Sequence, residues 1–180
     1  MDIVRFEPSS NEGAGRALPV SSLSNFFDAG NALAAKQACR KKNALLHASS
    51  YDVEEGDLLE LARAGGALVF SLSDILLEYG FRRAILISKM RLALGACRKR
   101  GTCFVFATLA KDASQVRSPR ELSAFAAVLG TTDVERKEAE KNMARLAGWA
   151  AKPKGHLQSA HAKVPSALGT SPPSAKKVKK

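Results

Sequence analysis

Nine basic side chains lie on or beside two candidate helices, seven of them at helix boundaries. Arg82 and Arg83 open one in Tyr79-Gly80-Phe81-Arg82-Arg83-Ala84. Lys89 and Arg91 follow along the same stretch, and Arg98-Lys99-Arg100 ends it. Arg117 and Arg120 flank a second start, Val116-Arg117-Ser118-Pro119-Arg120-Glu121-Leu122. A guanidinium is a planar fork of donors that matches phosphate oxygens two at a time, so these clusters point to a nucleic-acid backbone. For any single one, a solvated face or an ion pair is the competing explanation. At the Arg82–Arg83 start the positive charges oppose the helix dipole, and no local stability gain accounts for them. Arg98, Lys99 and Arg100 favour the dipole at a C-terminus, whereas Arg117 and Arg120 border an N-terminus whose free amides favour anions.

Catalytic constellations are absent from the sequence. Of three histidines, His156 and His161 fall in a polar tail, and His47 ends a short apolar run. A lone histidine there reads as packed or hydrogen-bonded rather than catalytic. There is no HxH, HExxH, GxSxG or Walker loop, and Gly13-Ala14-Gly15 and Gly65-Gly66 are too sparse to cradle phosphate. Glu54-Glu55 stands at a helix start, where the dipole stabilises acids. Cys39, Cys97 and Cys103 lack CxxC spacing and read as buried thiols in a reducing compartment. The sequence thus offers no catalytic and no metal-ligating residue.

The chain has 180 residues, 46% of them apolar, enough for one domain with a core. Its net charge is +11, from 28 bases against 17 acids. Seven lysines lie in 151–180, which has no acid, leaving 21 bases against 17 acids in 1–150. A basic tail on a mildly basic body fits a polyanionic partner. The tail, rich in Lys, Pro, Ser and Ala, is expected to be disordered because it cannot bury enough surface to offset its ordering entropy. No apolar run reaches the roughly 20 residues of a membrane span, and the first residues do not resemble a secretory signal. A cytoplasmic location is expected.

Between 1 and 150 the pattern alternates short apolar runs with helical stretches. Candidate strands are Asp2–Phe6, Ala44–Ala48, Ala67–Leu72 and Cys103–Thr108. Helices are expected over Leu23–Lys42, Val53–Arg63, Ser73–Glu78, Phe81–Lys99, from Ser118 to Gly130, and from Thr132 to Ala147. Residues 7–20 read as loop. Ser118 with Pro119 and Glu121 spells a capping box, and Gly101 and Gly130 are stops. Single helices between short strands are the mark of parallel βα units. The expected fold is therefore α/β, TIM-barrel-like, with too few strands for a full barrel of eight.

Residues from about Ala67 to Asn142 resemble the ribonuclease P protein component 3 family, the thirty-kilodalton subunit of archaea and eukaryotes. The resemblance rests on Ala67–Leu72 with Asp74-Ile75-Leu76-Leu77, on Tyr79–Ala84, and on Ile87-Ser88-Lys89-Met90-Arg91. It continues through Phe104–Thr108, Arg117–Leu122 and Val128-Leu129-Gly130. Two departures stand out: Thr108–Ala113 replaces the family's small-residue turn, and its first barrel strands have no counterpart here. The resemblance implies an incomplete barrel related to the polymerase and histidinol phosphatase (PHP) phosphoesterases. It implies a subunit of the ribonucleoprotein that removes the 5′ leader from precursor tRNA, an endonuclease whose RNA carries the catalysis and needs Mg. This chain would then bind no cofactor and would be non-catalytic alone. Its partners would be ribonuclease P RNA, precursor tRNA and a second small protein subunit in a heterotetramer, with no membrane. Arg82, Arg83, Arg117 and Arg120 are the first candidates for RNA or partner contact. Lys89, Arg91, Arg98, Lys99 and Arg100 come next. The rival readings are a metal-dependent phosphoesterase of the PHP fold and a basic protein-interaction module.

Overall fold

The structure is a computed structural model and describes residues 2–5 and 17–150. The tail at 151–180 and most of the 7–20 loop lie outside the described residues. The strands are β1 (Asp2–Val4), β2 (Ala17–Pro19), β3 (Phe26–Ala29), β4 (Leu45–Ala48), β5 (Ala67–Ser71) and β6 (Cys103–Ala107). The helices are α1 (Ala32–Cys39), α2 (Glu55–Arg63), α3 (Leu72–Leu77), α4 (Gly80–Arg100), α5 (Pro119–Val128) and α6 (Asp133–Ala150).

All strand pairs are parallel. Strands β3-β4-β5-β6 form one sheet in that order, and β1-β2 form a second. Two backbone bonds tie β1 to the segment leaving β6: Leu109 N–H donates to Ile3 O at 2.9 Å, and Arg5 N–H donates to Ala110 O at 2.7 Å. Asp2 reinforces this joint, with Oδ1 accepting from Thr108 N at 2.8 Å and Oδ2 accepting from the Thr108 hydroxyl. The expected parallel βα units are present, but no closed barrel forms among the described residues.

The expected helix over Leu23–Lys42 is instead strand β3 followed by helix α1. Phe26 and Phe27 suit a pleated surface and pair with Leu45 and Leu46. Asn31 then restarts the chain as helix, its side chain accepting from Ala34 N at 2.9 Å. Ala17–Pro19, expected as loop, pairs with β1. The short helix α3 starts earlier than expected, at Leu72, and is capped by Ser71. The capping box at Ser118 and Glu121 forms in full, and Gly101, at φ +67°, closes α4 in the left-handed conformation.

Side chains alternate across the sheet, as a two-residue period requires. Leu46, Leu68 and Phe70 face a layer of α1, α2, α4 and α5, meeting Ala38, Leu58, Leu61, Met90, Leu94 and Phe125. Leu45, Ala67, Val69, Val105 and Ala107 face the other way, against Ile3, Leu23 and the α6 residues Met143, Leu146 and Ala147. A helix thus covers the face that would look into a closed barrel. Each large side chain fully buried in these layers contributes about 1.5–3 kcal/mol. Among the described residues no helix is long and apolar enough to cross a membrane.

Candidate nucleic-acid interface

Helix α4 runs for 21 residues with seven bases and no acid. Its N-cap is Tyr79, which makes no capping bond, and no acid lies in its first turn. The other long helices begin differently: Asn31 and Ser118 cap α1 and α5, Thr132 bonds Glu135 N at the start of α6, and α2 has Glu55 and Asp57 in its first turn.

The nine basic candidates divide by what they touch. Arg91 and Arg98 reach the end of α5: Arg91 donates to Val128 O at 2.7 Å, and Arg98 donates to Gly130 O at 2.8 Å. Arg98 also forms a fork with Glu135 at 2.6 and 2.9 Å, which holds that carboxyl down at about 2. Lys99 and Arg100 both engage Glu55, at the start of α2. Lys89 pairs with Asp52 at 2.7 Å. Arg83 donates from Nε to Glu78 O at 2.7 Å and lies 5.5 Å from the Tyr79 ring centroid. That is a local structural role the sequence does not announce. Arg117 bonds the carbonyls of Ser114 and Val116, with Glu121 at 3.8 Å. Arg82 and Arg120 are exposed, and among the described residues neither has a hydrogen-bond or ion-pair partner.

The candidates occupy separate places. Arg82 and Lys89 share a cleft of about 370 Å³ with Ser49, Ser50 and Asp74, beside the carboxyl ends of the strands. Arg117 lines a larger cavity of about 530 Å³ between α5 and α6, with Phe106, Arg136 and Met143.

The first cleft is anchored by an ionic cluster that sequence reading does not assemble. Strand pairing sets Asp28 beside His47. His47 is 1% exposed, with Nδ1 2.9 Å from Asp28 Oδ1 and Nε2 2.8 Å from Asp74 Oδ2. Burial disfavours its charge, but the bonds to Asp74 and Asp28 outweigh burial and raise its pKa. Each ring nitrogen faces a carboxylate oxygen, which accepts, so the geometry suits donation from both. Arg5 Nη2 donates to Asp28 Oδ2 at 2.8 Å, and its 3.2 Å approach to His47 Nδ1 is proximity of two donors rather than a bond. The Tyr51 hydroxyl donates to Asp74 Oδ2 at 3.0 Å and accepts from Ser71 N at 2.9 Å. Burial pushes the Asp74 carboxyl up, yet the His47 bond brings it below its ordinary value. Arg5 and the imidazole thus lie between two carboxylates. The imidazole is engaged on both sides, as the sequence-based reading of His47 expects. Among the described residues no three His, Cys, Asp or Glu side chains converge to hold a metal ion.

This architecture has a solved counterpart. It is similar to a chain in a cryo-EM structure of archaeal ribonuclease P with mature tRNA, at TM-score 0.62 and 15% identity. The match covers 86% of this chain and 65% of that one, so the chain spans about two thirds of its neighbour. No family model and no curated protein matches the sequence. The likeness is one of fold.

Proposed function

We propose that the chain is an RNA-binding protein subunit of a ribonuclease P particle, the endonuclease that removes the 5′ leader of precursor tRNA. The observation that carries this reading is the fold shared with a chain of archaeal ribonuclease P. The resemblance across Ala67 to Asn142 supports it independently. The acid-free α4 and the +11 charge suit a polyanion. The particle's RNA performs the chemistry, and the protein binds and positions RNA and its fellow subunits. A second small protein subunit, a heterotetramer and a cytoplasmic setting belong to the same proposal. Against the phosphoesterase alternative, His47 has both nitrogens engaged, and among the described residues no three His, Cys, Asp or Glu side chains converge.

The test is reconstitution of the particle from its RNA and protein subunits, with and without this chain, scored by leader cleavage. Cleavage is expected to rise when the chain is added, and the purified chain alone is expected not to cut. Cutting by the chain alone, or stoichiometric Mn or Zn with phosphatase activity, would overturn the reading.

A further inference from the structure

The turn into α4 exposes an unusual amount of ring surface. Tyr79 is 77% exposed and Phe81 is 80% exposed. Between them Gly80 adopts φ +55°, a left-handed conformation that a side chain would strain. Leu77 and Ile85, each more than two fifths exposed, extend the apolar surface on either side. Tyr79 is steadied from one side: the Arg83 guanidinium lies against its ring and is itself tied to Glu78 O. Arg82, immediately after Phe81, makes no bond to any described residue.

We propose that Tyr79 and Phe81 form a stacking platform for unpaired nucleobases of RNA, with Arg82 taking the adjoining phosphate. The proposal rests on the RNA-binding reading above and deepens it. Charge complementarity selects this occupant over a protein. The rings open a helix of seven bases and no acid, and Arg82, next to Phe81 in sequence, has no partner among the described residues. Base stacking on aromatic rings needs an exposed π-face, tolerates any base, and works with a basic groove that tracks the backbone. Duplex RNA keeps its bases stacked within the helix, so the platform discriminates for single strands, loops and bulges. The cleft beside it, lined by Arg82, Lys89, Ser49 and Ser50 together with Asp74 and Glu78, lies along the carboxyl edge of the sheet.

The test uses the full chain and a twelve-nucleotide single-stranded RNA carrying 2-aminopurine, with a duplex of equal length as control. Fluorescence quenching is expected on binding the single strand. Tyr79→Ala and Phe81→Ala should each weaken single-strand binding roughly tenfold and reduce quenching, leaving duplex binding unchanged. Tyr79→Phe should retain both. Because the rings are exposed, thermal melts should match the parent chain. Alanine variants that bind and quench like the parent would overturn the platform while leaving RNA binding intact. So would variants that keep RNA binding but fail to join the other protein subunits, which would make the patch a protein interface. A parent chain that binds neither RNA would overturn the platform and the RNA-binding reading together.

Discussion

His47 Nε2 stands 2.8 Å from Asp74 Oδ2, joining the middle of the sheet to the helix that leads into α4. The pKa of His47 is raised in the folded chain, so its contribution to stability is complete below about pH 6.5, the ordinary histidine value. It is lost as pH rises through the raised value. Asp74, lowered by the same bond, contributes above the ordinary carboxylate range and loses its share as pH falls through its folded value. The melting temperature is expected to fall as pH rises above about 6.5, and His47→Asn should remove that fall. A flat profile in the parent chain would contradict the charged cluster.

Gly66 lies where β5 begins. A Cβ there would come 2.5 Å from Leu61 Cδ1 and 2.6 Å from the backbone oxygen of Ala44. Backbone cannot yield as a side chain can, so Gly66→Ala should destabilise by about 1–3 kcal/mol. Chemical denaturation measures it, and a change within error would mean that β4 and β5 shift freely at this end.

Arg82 and Arg98 belong to one helix yet should respond oppositely to alanine. Arg98→Ala breaks the fork with Glu135 and the bond to Gly130 O, and should cost roughly 1 kcal/mol of stability. Arg82→Ala breaks no described bond, so stability should stay within about 0.5 kcal/mol while RNA affinity falls several-fold. Melts and RNA titrations of the two variants check this, and equal affinities would remove Arg82 from the interface.

Removing residues 152–180 takes away seven lysines. The melting temperature should not change, and RNA affinity should become less sensitive to salt. Each phosphate that the tail ceases to neutralise makes the log–log slope shallower by roughly 0.7–0.9. An unchanged slope would show that the tail does not touch RNA, and a lower melting temperature would show that it packs on the body.

Local signals in the sequence translate well into structure. Ser118-Pro119-Arg120-Glu121 spells its own helix start, and Cys103–Ala107 is bounded by Gly101 and dominated by Phe and Val. Strand β3 is hidden because Phe26–Ala29 has four residues and leads into an alanine-rich stretch of high helix propensity. Only pairing with β4 decides it. The ionic cluster is hidden for a similar reason. Asp28, His47 and Asp74 are spread over more than forty residues, and parallel register, not spacing, sets the first two side by side. The basic clusters are legible as charge. Which bases are free for a partner depends on carbonyls such as Val128 O and carboxylates such as Glu55, whose positions are tertiary.

The joint between Asp2 and Thr108 dictates an order of assembly. Strand β1 pairs with the nearby β2, yet the groups that clamp Asp2 to the larger sheet lie 106 residues later in the chain. The units from β3 to β6 can form one after another from contacts near in sequence, whereas β1 docks on them only through the distant Thr108 and Leu109. A probe near the N-terminus should report a later refolding phase than a probe at the Phe70–Phe106 contact.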